Sequence, residues 1–330
     1  MNINTISDTV LDESSSPQAL RDALDAFSLL CSDATNIRPD PSFDAWAEDS
    51  LLDNGVAINP QAAAHCVVDY QRSVVFIRGV YAAINSLRLR FPDTPLEVLY
   101  AGCGPFATLI LPLLGKFSPG ELNLYLLDVH QRSLDSVKLL LTDFGFSGHT
   151  VQTIKADACR YEHAGKLHLV IAETMQKSLE QEPQFAVTAN LAPQLLPRGV
   201  FIPQRIDVSL CLADLEKRSK RYLLETVCTL LPEQAWEQMQ SAQSHANGKS
   251  PELESLTVVI PMVSEIAQLE AALFTRICVF EQYGLEDYES EITLPLKCHE
   301  LLPLVGGEHY RVSYQLGSYP KFHFERLKDD

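Results

Sequence analysis

With 330 residues, 46% of them hydrophobic, the chain is long enough for two domains, or one domain with large additions, and apolar enough to fill a core. Its formal net charge of −17 argues against a nucleic-acid partner, whose phosphates would be repelled, and no apolar run reaches the length of a membrane span. The eight cysteines include no Cys-x-x-Cys pair, and several sit in apolar runs such as Leu210-Cys211-Leu212, which reads as buried, reduced thiols of a cytoplasmic protein. Cys298-His299 has no further ligands at metal spacing, so no metal is expected.

Residues Met1 to about Ser14 are polar and acidic, without the basic start and apolar stretch of a signal peptide, and are expected to be disordered. Ser16-Pro17 has the form of a helix cap followed by Pro at the first helical position, and Leu20, Leu24, Phe27 and Leu30 recur at helical spacing. Pro39 to Pro41 breaks the chain, and Trp46 with Leu51-Leu52 reads as a short helix. Asn59-Pro60 opens a long helical region to about Leu89, with Cys66, Val67, Tyr70, Val74, Ile77, Tyr81 and Ile84 as its buried stripe.

The stretch Leu96 to Phe106 is a short apolar strand ending in the turn Gly102-Cys103-Gly104, followed by Leu109, Ile110, Leu113 and Leu114 at helix-like spacing. Glycines there permit backbone angles and close approaches that a Cβ would block, and a following helix N-terminus would offer free N–H groups. Three further buried-looking strands follow: Leu122–Asp128, Val151–Ala158 and Leu167–Glu173, each ending in a small or acidic residue. In an open α/β sheet ligands sit outside the carboxyl ends of the strands, so Asp128, Asp157, Ala158 and Glu173 converge on one site, with Asp128 placed to accept hydrogen bonds from ribose hydroxyls. His130, His149, His163 and His168 have no nucleophile arranged beside them and read as surface or strand-edge residues.

After Arg205 the pattern changes. Ile206–Leu212 alternates as a half-buried strand, Asp214 to Gln243 reads as a charged helical segment, and Leu256–Ile260, Thr275–Phe280, Glu291–Pro295, Tyr310–Leu316 and Lys321–Phe324 read as strands. Three regions result: a helical region and lid (1–90), an α/β core (91–205), and an antiparallel β domain with a helical insertion (206–330).

The order of the core resembles the class I S-adenosylmethionine-dependent methyltransferases. Val98-Leu99-x-x-Gly102-x-Gly104 is similar to their first motif, with Tyr100 where the family usually has an acid and Phe106 where a third glycine often stands. The resemblance implies a Rossmann-like seven-stranded core, with Asp128 as the ribose-binding acid and Asp157-Ala158 at the adenine contact. Glu173-Thr174-Met175 with Glu182 nine residues on resembles the double-glutamate loop of the protein arginine methyltransferases, and Leu191 to Asp207 continues in register. Asp69-Tyr70-Gln71-Arg72-Ser73 is similar to their Asp-x-x-Arg-Thr, which implies that Arg72 pairs with the cofactor's carboxylate; Arg78 is a competitor in the same helix. Glu308-His309-Tyr310 is the nearest text to the family's Thr-His-Trp stretch and makes His309 a candidate site residue. The family plan also implies a helical arm and a homodimer.

Two carboxylates suit a guanidinium, which is planar, permanently charged and armed with donors in a fixed fork. The expectation is therefore a methyltransferase in which Glu173 and Glu182 hold a guanidino group. Gly102, Gly104, Asp128, Asp157, Ala158 and Arg72 bind S-adenosylmethionine, and S-adenosylhomocysteine is the product. The departures at Thr174, Gln176, the lid and the β domain incline the substrate toward a small guanidino compound such as free or modified arginine. Protein arginine is the alternative, followed by another N, O or C nucleophile and by a non-catalytic partner role.

Overall fold

The computed structural model describes residues 1–39, 50–246, 248 and 250–328. The chain opens with a helix where composition pointed to disorder. Ile3–Leu11 forms α1, started by the Asn2 side chain, which accepts the Thr5 N–H at 2.9 Å. Ile3, Ile6 and Val10 form one buried stripe that outweighs the polar residues between them. The Ser16-Pro17 start is met by α2 (Pro17–Thr35), with Leu24, Phe27 and Cys31 fully buried. Leu51 and Leu52, expected in a helix, lie in a hairpin of β1 (Ser50–Leu52) and β2 (Gly55–Ala57) turning at Asp53-Asn54. Trp46, read together with them, lies outside the described residues.

The long helix beginning at Pro60 is interrupted. α3 (Pro60–His65) runs into a 3-10 turn, and α4 (Tyr70–Arg90) restarts after Asp69. The Asp69 carboxylate accepts the Arg72 N–H at 3.4 Å on one oxygen, and the Ser290 hydroxyl (2.6 Å) and Glu291 N–H (2.9 Å) on the other. The break is thus a cap shared with a distant loop.

The α/β core holds β3 (Leu96–Ala101), β4 (Leu122–Asp128), α5 (Gln131–Asp143), β5 (Thr150–Lys155), β6 (Leu167–Ala172), α6 (Gln184–Leu191) and β7 (Leu195–Ile202). Its strands are all parallel in the order β5-β4-β3-β6-β7, so the chain direction of winding reverses at β3 and leaves a crevice at the strand tips. The sheet has five strands among the described residues where seven were expected, because the next strand leaves it. The helix expected after β3 is replaced by turns and a 3-10 segment, Leu111–Lys116. Gly102, Gly104 and Ala107 take φ of 68°, 62° and 42°, a left-handed backbone from which a helix cannot start.

From Arg205 the chain is antiparallel. β8 (Arg205–Asp214) pairs with β9 (Ser219–Leu230), and α7 (Pro232–His245) follows. Then come β10 (Leu256–Val259), β11 (Glu270–Phe280), β12 (Tyr283–Leu285), β13 (Leu296–Lys297), β14 (His309–Gln315) and β15 (Lys321–Arg326). They form two sheets, β12-β11-β8-β9 with β13 on β11, and β10-β14-β15. Residues 219–230, read as helix, are strand: Leu224, Cys228 and Leu230 turn inward while Leu223 is exposed, a period of two. Residues 291–293, read as strand, form a 3-10 turn after Ser290, whose side chain caps it. The helical segment expected to serve as a dimerisation arm, α7, packs against α6 of its own chain, burying Ala235. No helix among the described residues is long and apolar enough to cross a membrane.

α4 lies between the two halves. It packs on the parallel sheet and also meets β11 so closely that a Cβ built on Gly79 would stand 2.6 Å from Val279 Cγ1. Both side chains' surroundings are fully buried and Val279 is stiff at χ1. Gly79→Val should therefore overpack this contact and destabilise the protein by about 1–3 kcal/mol. A lowered urea midpoint with unchanged slope would register it.

Candidate functional site

The tips of β3, β4, β5 and β6 frame one cleft, roofed by the β1–β2 hairpin and α3. It encloses about 950 Å³ counted to its open mouth. Gly102 and Cys103 both donate their N–H to the Leu127 carbonyl (2.9 and 3.1 Å), folding the tip of β3 onto β4. A Cβ on Gly102 would stand 2.5 Å from Thr174 Cγ2, so glycine is what lets the loop after β6 approach.

Asp128 is buried at the end of β4. One carboxylate oxygen accepts the Gly104 N–H at 2.9 Å and the other the His130 N–H at 2.8 Å. Each oxygen has two acceptor positions, so one remains on Oδ2, the capacity a ligand hydroxyl requires, while Oδ1 also faces His130 Nδ1 at 3.3 Å. Asp157 accepts the Cys159 N–H at 2.9 Å and, with Ala158, lines the same cleft.

At the other end stands a buried ion pair. Arg72 NH2 donates to Glu173 Oε2, with the two side chains 12% and 8% exposed. Burial works against the Arg72 charge, but Glu173 beside it holds the guanidinium protonated. Burial pushes the Glu173 carboxyl up from its ordinary value, and Arg72 pulls it back. Glu173 Oε1 is buried with no hydrogen-bond partner. An orphaned acceptor of this kind costs about 1–3 kcal/mol, and more when charged. Tyr100 and Cys66 line the same wall. Burial raises the Tyr100 hydroxyl well above its ordinary value, with the nearby Glu173 charge adding to it.

Glu182 reaches the cleft through an unusual loop. Ser178, Leu179 and Gln181 all take left-handed φ (59°, 57° and 67°), a strained run for side-chain-bearing residues. Anchors from elsewhere hold it. The Tyr314 hydroxyl donates to Leu179 O (2.5 Å), Ser178 N–H to Thr275 Oγ1 (2.9 Å), and Gln181 N–H to Pro320 O (2.8 Å). Val56 N–H of the hairpin donates to Gln181 O at 2.7 Å. Glu182 is 8% exposed and lines both the main cleft and a small adjoining hollow bounded by Asn54, Tyr314 and Pro320.

The structure therefore brings Arg72, Gly102, Gly104, Asp128, Asp157, Ala158, Glu173 and Glu182 to one cleft. His309 is not among them. It begins β14, exposed and paired with Val259, five residues or roughly 17 Å along the strand from Tyr314, where β14 touches the loop. Arg78, the competitor of Arg72, donates to the Val10 and Asp12 carbonyls (2.7 and 2.8 Å) and fastens α1 instead. His130, read as a surface or strand-edge residue, lines the cleft. Its position two residues beyond a strand-tip acid was the available signal. The ties of Val56, Tyr314 and Pro320 to the loop of Glu182 left no local signal, since they join residues more than a hundred positions apart.

Two solved structures are similar in fold. One is the Trypanosoma brucei PRMT1 enzyme–prozyme heterotetrameric complex with AdoHcy, 12% identical, with 80% of this chain and 96% of that chain covered and a TM-score of 0.49. The other is Arabidopsis thaliana Protein Arginine Methyltransferase 10, 11% identical, with 74% and 87% covered and a TM-score of 0.45. No protein-family model and no curated protein matches the chain. The chemical reading rests on the side chains described above.

Burial pushes the Cys66 thiol up to about 11, with Arg72 opposing. A raised pKa means less thiolate at neutral pH, on the order of a hundredfold less than an ordinary thiol. Cys66 should accordingly alkylate slowly with iodoacetamide at pH 7 and faster toward pH 11, as followed by peptide mass spectrometry. An ordinary rate at pH 7 would place the thiol outside a closed cleft.

Proposed function

We propose that the chain transfers a methyl group from S-adenosylmethionine to a guanidino nitrogen of an arginine within a polypeptide. The observation that carries this reading is Glu173 Oε1, a buried carboxylate oxygen without a partner, in a cleft that also holds Glu182 and the half-filled Asp128. The residues fit the cofactor. Asp128 keeps an acceptor position on Oδ2 for a ribose hydroxyl, with His130 Nδ1 beside Oδ1. The left-handed glycines 102 and 104 admit a close approach. Arg72 uses one guanidinium nitrogen on Glu173 and has further donors for a carboxylate.

When bound, S-adenosylmethionine supplies a methyl group already activated by its sulfonium. The chain's own task is positioning. Glu173 and Glu182 would fix the guanidinium in one plane and draw its positive charge away from the reacting nitrogen. Burial pushes the Glu173 carboxyl up, and Arg72 opposes that push by its charge and its hydrogen bond.

A polypeptide acceptor is favoured over the free amino acid expected from the sequence. Among the described residues lining the cleft and its adjoining hollow, Arg72 is the sole lysine or arginine, and its donors beyond Glu173 are those assigned above to the cofactor's carboxylate. The α-carboxylate of free arginine would find no second lysine or arginine there, whereas in a peptide that charge does not exist.

The test is S-adenosylhomocysteine release with an arginine-rich peptide and, separately, with a pool of free guanidino compounds, with product masses checked. Release with the peptide alone supports the reading, and release with the free pool alone returns it to a small substrate. Glu173→Gln should lower turnover by at least about a thousandfold, some 4 kcal/mol of transition-state stabilisation, while S-adenosylhomocysteine still binds. Full activity in that variant would sink the role.

A further inference from the structure

The histidine at the β4 tip joins two parts of the cleft that no sequence pattern connects. His130 Nδ1 lies 3.3 Å from Asp128 Oδ1, and its Nε2 lies 3.1 Å from the Ser50 hydroxyl of β1. The ring is thus wedged between the acid that faces the nucleoside end of the cleft and the hairpin that roofs it. In the neutral ring one nitrogen carries the proton and the other accepts. A carboxylate only accepts, so Nδ1 can meet Asp128 only as a donor, while the Ser50 hydroxyl can donate to Nε2 or accept from it. The His130 side chain is only 16% exposed, and no bulky neighbour is needed to explain its orientation once both ends are engaged.

The other strand of the hairpin is tied to the second half of the site. Val56 N–H donates to Gln181 O, and Gly55 sits so near Pro183 that a Cβ would stand 2.7 Å from its nitrogen. Gln181 and Pro183 flank Glu182. One hairpin of eight residues therefore touches the ribose-facing acid through Ser50–His130–Asp128 and the acceptor-facing acid through Val56–Gln181. A further side-chain tie among the described residues, Asp53 to Arg160, joins two largely exposed groups and contributes little.

We propose that His130 is a positioning residue that couples occupancy of Asp128 to the order of the β1–β2 hairpin, and through it to the loop of Glu182. Hydroxyls bound on Asp128 lie beside His130 Nδ1 and hold the ring in place. The held ring keeps Ser50, and with it the roof of the cleft, in position. This rests on the cofactor reading given above for the identity of the hydroxyl-bearing ligand, but the latch itself does not.

Hydrogen–deuterium exchange of residues 50–57 tests it, with S-adenosylhomocysteine as the probe and binding measured by calorimetry. In the ligand-free protein, His130→Ala should speed exchange of the hairpin about tenfold, with β3 and β6 unchanged as the check on folding. Ser50→Ala should do the same, and the double variant no more than either alone. In the wild type the probe should slow hairpin exchange; in His130→Ala that protection should vanish and the dissociation constant should rise about five- to tenfold, as expected for one hydrogen-bonding group. His130→Asn, which keeps a donor and an acceptor, should recover part of both. Unchanged hairpin exchange in ligand-free His130→Ala overturns the latch. A loosened hairpin with unchanged affinity overturns the coupling. A wild type that does not bind the probe overturns the cofactor reading and the coupling with it, while the ligand-free comparison still decides the latch.

Discussion

The buried pairing of Arg72 with Glu173 is the constraint around which the cleft is arranged. It fastens the first turn of α4 to the tip of β6, two elements a hundred residues apart. Removing either partner would leave the other charge buried and unpaired, a loss of roughly 3–5 kcal/mol. The pair also sets the tone of its surroundings. Tyr100 and Cys66, packed beside it, are held in their neutral forms by burial, so the wall contributes shape and the two charges contribute direction.

The second acid depends on the assembled fold in a different way. The run from Ser178 to Gln181 stores three left-handed residues, each costing about 1–3 kcal/mol, against a few local backbone hydrogen bonds such as Leu179 N–H to Gln176 O. What holds the run is a ring of hydrogen bonds from β11, β14, the β14–β15 turn and the hairpin. Glu182 reaches the cleft only because the antiparallel half is docked. The β domain is thus part of the construction of the site even though none of its own side chains stands where His309 was expected.

How far the sequence could be read follows from the range of the interactions involved. The strand tips were legible because the signals are local: a glycine turn after an apolar run, then acids where strands stop. The spacing of Glu173 and Glu182 was legible through its resemblance to a known loop. α1 was missed because its stripe is three residues among hydroxyls and acids. β9 was missed because Leu223-Leu224 and Leu230-Leu231 are adjacent pairs that fit a helix as well as a strand, and only pairing with β8 decides between them. The helix after Gly104 failed because left-handed φ at Ala107 has no sequence signature. His130 and His309 exchanged importance for one reason: a histidine's value depends on what lies opposite it in space, and neither partner strand nor hairpin can be inferred from its neighbours.

α4 behaves as a beam. Arg72 lies at one end, in the cleft, and seven residues on, about 10 Å along the axis, Gly79 is pressed against Val279 of β11. A rigid rod pinned to both halves of a molecule resists hinge motion between them, since any rotation of the β domain would drag on the buried ion pair. Breathing of the cleft is therefore directed away from the domain boundary and into the small roof over its mouth. A ligand of the cleft would then need only that roof to yield, not a rotation of either half.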